Sequence, residues 1–232
     1  MLLDQDMHVY STFSDGRHVP EEVIASARDR GVRRLCFGDR VGRDTGWLPR
    51  YVEHLEKLRA RCDLEIVIGV ESRILDEDGA LDLPADLDGV ERISVADHRL
   101  PVGGHLLGPR QLRERLADGR LVARQVIDAL LGAYEACVHR YRDLQIAHPL
   151  RLLSVLEIPE WQVPLVQLRR LALMFAHTGT LVEISERWRC PSPRIARLLR
   201  QEGVTVVASS DAHDARDVGR YRYVRSIGWR LP

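Results

Sequence analysis

Runs of apolar residues of strand length alternate along the chain with longer stretches whose apolar residues recur every three or four positions. That alternation constrains the fold more than any other feature, because it is the sequence form of βα units around a mostly parallel sheet. Seven strands are expected, near Met7 to Tyr10, Arg33 to Gly38, Glu65 to Val70, Arg92 to Ala96, Leu144 to Ala147, Leu181 to Ile184 and Thr205 to Ser209. Between them the spacing predicts helices beginning at Pro20 and spanning Leu48 to Arg61, Pro109 to Leu116, Val122 to Tyr141, Pro164 to His177 and Pro193 to Gln201. Pro20 followed by Glu21 and Glu22 suits the positive end of a helix. Gly31 and Gly203 stand where helix-ending glycines belong. The acidic stretch from Asp76 to Val90 reads as a surface excursion, and 232 residues with no Gly/Pro/Ser-rich linker read as one domain, 1–232.

In sheets of this kind function gathers in the loops that follow the carboxyl ends of the strands. His8, Asp39, Glu71, His98, His148, Glu183, and Asp211 with His213, all fall on or just past such an end. If the strands close, these side chains converge on one mouth. Neutral imidazoles and carboxylates brought together bind divalent metals such as zinc, manganese or iron. A bound metal activates water and polarises a phosphoryl or carbonyl oxygen, so hydrolysis is the expected chemistry. No glycine-rich phosphate loop, serine-nucleophile elbow or kinase-like set competes with that reading.

Composition narrows the partners. The chain has 34 basic and 34 acidic residues, so no global field would hold it on nucleic acid or an anionic membrane, and anion recognition must be local. The acidic start of the sequence does not resemble a secretory signal and no apolar run reaches membrane-spanning length, so a cytoplasmic protein is expected. Cys36, Cys62, Cys137 and Cys190 are scattered without paired spacing and read as idle thiols.

Several of these segments, in their order, resemble the polymerase and histidinol phosphatase (PHP) superfamily. Asp6-Met7-His8-Val9-Tyr10 with Ser14-Asp15-Gly16 is similar to its opening block, and Gly69-Val70-Glu71 to its bridging glutamate. Asp97-His98 stands where the superfamily has a histidine after the fourth strand. Ala147-His148-Pro149 and Ser210-Asp211-Ala212-His213 are similar to its later motifs, and Asp217-Val218-Gly219 to the sequel. The resemblance covers residues 6 to 219. It implies an α/β fold, a distorted (β/α)7 TIM-like barrel, with metal ions at the mouth and a phosphomonoester of a small molecule as substrate. The metal ligands it implies are His8, Asp15, Glu71, His98, His148, Asp211 and His213.

Two positions depart from the pattern: Tyr10 replaces the second histidine of the opening block, and Arg40 the histidine after the second strand. A tyrosine ligates only as phenolate and an arginine stays protonated, so one or two ions are expected in place of three. Glu71, His98 and His148 would form one complete cluster. Arg40 would keep a positive charge facing the phosphate, or pair with Asp15 or Asp211. With Asp211 or His213 handling the proton, the catalytic set is Asp211, His213, Arg40 and Tyr10. Arg17, Arg73, Arg99, Arg187 and Arg216 follow strand ends and are candidates for gripping phosphate. The alternatives are a barrel that has lost its chemistry, or one acting on a C–N or carboxylic ester bond.

Overall fold

The computed structural model describes residues 2–228. Nine strands and eight helices follow in order: β1 (Gln5–Val9), α1 (Pro20–Asp29), β2 (Arg34–Arg40), α2 (Leu48–Arg59), β3 (Glu65–Arg73), β4 (Arg92–Ala96), β5 (Leu100–Val102), β6 (His105–Leu107), α3 (Pro109–Ala117), α4 (Ala123–Arg140), β7 (Leu144–Ile146), α5 (Arg151–Val155), α6 (Leu165–Thr178), β8 (Leu181–Ser185), α7 (Pro193–Gln201), β9 (Val206–Ser209) and α8 (Tyr223–Gly228). Seven strands, all parallel, form one sheet in the order β1-β2-β3-β4-β7-β8-β9. Past its ends β1 meets β9 again: the Tyr10 amide donates to the Ala212 carbonyl at 3.0 Å and the Asp211 amide to the His8 carbonyl at 3.0 Å. The sheet is therefore a nearly closed barrel, as the resemblance implied.

All seven expected strands are present, each within a few residues of its expected bounds. The antiparallel hairpin β5-β6 and the short helix α5 are additions. Three-residue strands and a five-residue helix are too short to show a period. Gly31 and Gly203 both carry left-handed φ, 73° and 85°, as helix-ending residues should. Among the described residues, no helix is long and apolar enough to cross a membrane, and all four cysteines are free.

Strand parity decides what faces the axis, because successive side chains point to opposite faces. Leu35, Phe37, Ile66, Ile68 and Val70 pack outward against Val23, Ile24, Leu48 and Tyr51 of α1 and α2. Met7, Cys36, Val67 and Val207 pack together inside the barrel. On the same inward parity, Gly38 and Arg40 follow Cys36, and Gly69 and Glu71 follow Val67. A register shift between Asp6 and Val9 sets three residues of β1 against two of β2, which lets His8 as well as Met7 turn inward. His8 then lies over Gly38, where an added Cβ would come within 2.6 Å of its ring. Gly38→Ala is therefore expected to cost about 1–3 kcal/mol in urea unfolding and to weaken metal uptake by displacing His8.

Candidate metal centre

Glu71 is buried at the end of β3 beside Arg40 of β2, its partner in the parallel register. The Arg40 Nε donates to Glu71 Oε2 at 2.8 Å, and the same guanidinium pairs with Asp15. The other oxygen, Oε1, faces His98 Nε2 at 3.6 Å and His148 Nε2 at 3.5 Å. One ligand atom from each of Glu71, His98 and His148 lies within 4.8 Å of the others. Oε1 is buried with no hydrogen-bond partner in the protein. A lone carboxylate oxygen facing two imidazoles in a buried site is the donor set of an intermediate divalent ion, so these residues fit a metal.

His148 and His8 are each aimed by a carboxylate behind the ring. His148 Nδ1 faces Asp97 Oδ1 at 3.4 Å, and Asp97 is held in turn by the Tyr134 hydroxyl and the Leu152 amide. His8 Nδ1 donates to Glu183 Oε1 at 2.8 Å. Glu183 also accepts from Gln145 Nε2 at 2.7 Å and from the His148 amide at 3.0 Å. With Nδ1 engaged, His8 turns its Nε2 into the site, buried and without a partner, as is Asp211 Oδ1. Outer carboxylates of this kind fix the tautomer and raise ligand basicity. Asp97→Asn is accordingly expected to weaken metal affinity about 10- to 100-fold in competition with a chelating dye.

These contacts set the charges. Burial opposes protonation of His8, but Glu183, with Glu71 and Asp211, outweighs it and lifts the imidazole to about 9. Burial likewise opposes protonation of His148, and Asp97 and Glu71 lift it to about 10. Burial drives His98 down to about 4. Burial would raise Glu71, yet His148, His98, His8 and Arg40 hold it well below its ordinary range. Because His8 and His148 are raised above an unfolded value near 6.5, their stabilisation of the metal-free chain is complete below that pH and is lost as pH rises through about 9 and 10. A metal takes the place of those protons. The gain in melting temperature on adding zinc or manganese should therefore grow from pH 6 to pH 9, as thermal melts with and without chelator would show.

Tyr10 is buried at the mouth, its ring 4.9 Å from that of His8 and 4.2 Å from that of His213. Burial, then the Glu71 and Asp211 carboxylates, push its phenol well above its ordinary value, so in the metal-free chain it is a hydroxyl. Asp211, with φ of 55°, accepts from Trp188 Nε1 at 2.7 Å. His148 also has a positive φ, 32°. Left-handed backbone at non-glycine residues is strained, and here it sits at two side chains that face the site. His213 Nδ1 lies 2.8 Å from Arg187 Nη1. The same nitrogen lies 3.0 Å from the Asp211 carbonyl, so the ring is held between the Arg187 guanidinium and the Asp211 backbone.

A cavity of 620 Å³ opens over this group, lined by Tyr10, Arg40, Glu71, His98, His148, Asp211 and His213 among others. Arg73, Arg99 and Arg187 also line it, whereas Arg17 and Arg216 line a neighbouring cleft. Asp15 is at the mouth, engaged by Arg40. Asp39 is not there. Parity turns it away from Arg40, and its carboxylate accepts from the amides and hydroxyls of Ser11 and Ser14, so the expectation that Asp39 converges on the mouth with the other strand-end residues is corrected. His18 pairs with Glu22 and Asp214 away from the mouth. Asp97 and Arg151 were not singled out by sequence. Asp97 precedes His98 within a motif, which was its only signal, and Arg151 is on the short α5. The Arg151 guanidinium stacks 3.8 Å over the Trp188 ring, lines the cavity, and has Nε and Nη1 without an acceptor.

No protein-family model matches the chain. A probable phosphatase of Caldanaerobacter subterraneus subsp. tengcongensis is 25% identical over 228 residues, covering 95% of this chain and 80% of that protein. The crystal structure of histidinol phosphate phosphatase from Lactococcus lactis subsp. lactis, complexed with zinc, L-histidinol and phosphate, superposes with a TM-score of 0.63 at 14% identity, over 98% of this chain and 92% of that one. An N-isopropylammelide isopropylaminohydrolase from Burkholderia multivorans reaches a TM-score of 0.48 at 19% identity, over 90% of this chain and 56% of that one, too distant to argue from. The chain is thus similar in sequence to a probable phosphatase and shares the barrel fold of histidinol phosphate phosphatase.

Proposed function

We propose that the protein is a metal-dependent phosphomonoesterase acting on a small-molecule phosphate, as one PHP-like domain over 1–232. The observation that carries this reading is the buried Glu71, His98 and His148 cluster, with its unpartnered oxygen, in a cavity it shares with arginines. Glu71, His98 and His148 would hold one ion, and His8 Nε2 with Asp211 Oδ1 and Glu71 a second, weaker one. Zinc, manganese or iron suits such donors. When bound, the metal polarises the phosphoryl oxygens and makes a nucleophile of water at neutral pH.

The chain's own residues do the rest. Arg151, held flat on Trp188 with free donors, binds the phosphate. Arg40, fixed by Glu71 and Asp15, keeps a positive charge where negative charge develops on the transferring group. Tyr10 supplies a hydroxyl donor beside Glu71 and Asp211. His213, its ring held by Arg187 and the Asp211 carbonyl, would hand a proton to the leaving oxygen. The relatives named phosphatases support this reading, and the completeness of the three-residue cluster weighs against a barrel that has lost its chemistry.

Phosphate release should be measured over a panel of small phosphate esters with manganese, zinc or iron added, and again after chelation. Hydrolysis that stops on chelation and returns with metal is expected. Folded protein inactive with every metal, or active after full chelation, would overturn the proposal.

A further inference from the structure

A second cleft of 980 Å³ adjoins the mouth, and Arg187, Asp211 and His213 line both cavities. Eight arginines line this cleft against four carboxylates. The carboxylates are already engaged: Glu186 accepts the Val224 amide, Asp211 the Trp188 indole, and Asp214 both nitrogens of the Arg216 fork, while Asp217 lies 4.0 Å from Arg220. Arg189, Arg222 and Arg225 are exposed and have no acceptor among the described residues. In a chain whose charges balance overall at 34 against 34, this is a concentrated local excess of positive charge.

We infer that the substrate carries a second phosphate, which seats in this arginine cleft while the ester to be cleaved lies in the mouth; the inference rests on the phosphomonoesterase reading. Three unpaired forks suit a phosphate, whose several oxygens accept from more than one guanidinium, better than a single carboxylate. The three lining residues in common place the two cavities side by side, as a substrate with two phosphates requires. A nucleic acid is the less suited occupant, since the excess is confined to one cleft and the neutral chain offers no wider basic field.

The test compares initial rates of the metal-loaded protein on fructose 6-phosphate and fructose 1,6-bisphosphate, in the natural chain and in the triple variant Arg189→Gln, Arg222→Gln, Arg225→Gln. A kcat/KM at least about tenfold higher for the bisphosphate is expected, with that advantage lost in the variant and the monophosphate rate unchanged. Equal rates on both esters, or an advantage that survives the substitutions, would overturn the inference. If neither ester is hydrolysed, the phosphatase reading is what fails for these esters, and calorimetric titration with the bisphosphate decides the inference separately: at least about tenfold weaker binding by the variant supports it, and equal binding refutes it. A single-stranded oligonucleotide that binds the natural chain but not the variant, with no preference between the sugar phosphates, would also refute it. Melting curves check folding, and the single variants Arg222→Gln and Arg225→Gln give the same readout should the triple variant not fold.

Discussion

Replacing Glu71 with glutamine is expected to lower kcat by more than about 100-fold and to strip the ion during dialysis, since even outer partners of a metal ligand cost 10- to 100-fold. The substitution keeps the shape and removes only the charge. That charge sits buried against protonated His8 and His148 and against Arg40, so its loss leaves these cations facing one another without their common counter-ion. Breaking such a buried pair costs about 3–5 kcal/mol, and the metal-free variant should melt lower than the natural chain. Because the natural chain should gain stability from metal and the variant should not, melts with and without zinc separate lost ligation from simple destabilisation. Unchanged metal content with full activity would show that Glu71 is only a structural acid.

The second large effect is expected at Arg40. Removing a fixed donor from the place where charge develops costs about 100- to 1000-fold in kcat, and Arg40→Ala should show that loss mainly in kcat. Arg40 is half exposed, and its geometry comes from two anchors, Glu71 Oε2 and Asp15. A lysine keeps the charge but cannot span both anchors with a planar fork, so Arg40→Lys should recover only part of the rate. Full activity of Arg40→Ala would remove Arg40 from the catalytic account and leave it as a surface ion pair.

The parallel α/β sheet was legible because strand-length and helix-length segments alternate, and its mouth because acids and histidines sat repeatedly at strand ends; closure into a barrel was implied only by the resemblance of the motifs. The departures at Tyr10 and Arg40 were equally visible, since they break a motif. Less could be read where orientation depends on one residue of register. Asp39 and Arg40 are neighbours in sequence, yet parity sends one to two serines and the other to Glu71. The shift in β1 that turns both Met7 and His8 inward has no local signature. Asp97 and Arg151 act through distant partners, His148 and Trp188. The arginine cleft is assembled from separate segments whose excess a net charge of zero averages away.

The central claim, that a guanidinium here stands in place of one of the cations, is tested most directly by counting ions. Metal analysis of purified protein saturated with zinc or manganese, with phosphatase activity followed on the same sample, should find one or two ions per chain in the natural protein. Arg40→His, which frees Asp15 and sets an imidazole beside it, should gain one more. Three tightly held ions in the natural chain, or no gain in Arg40→His, would contradict the account.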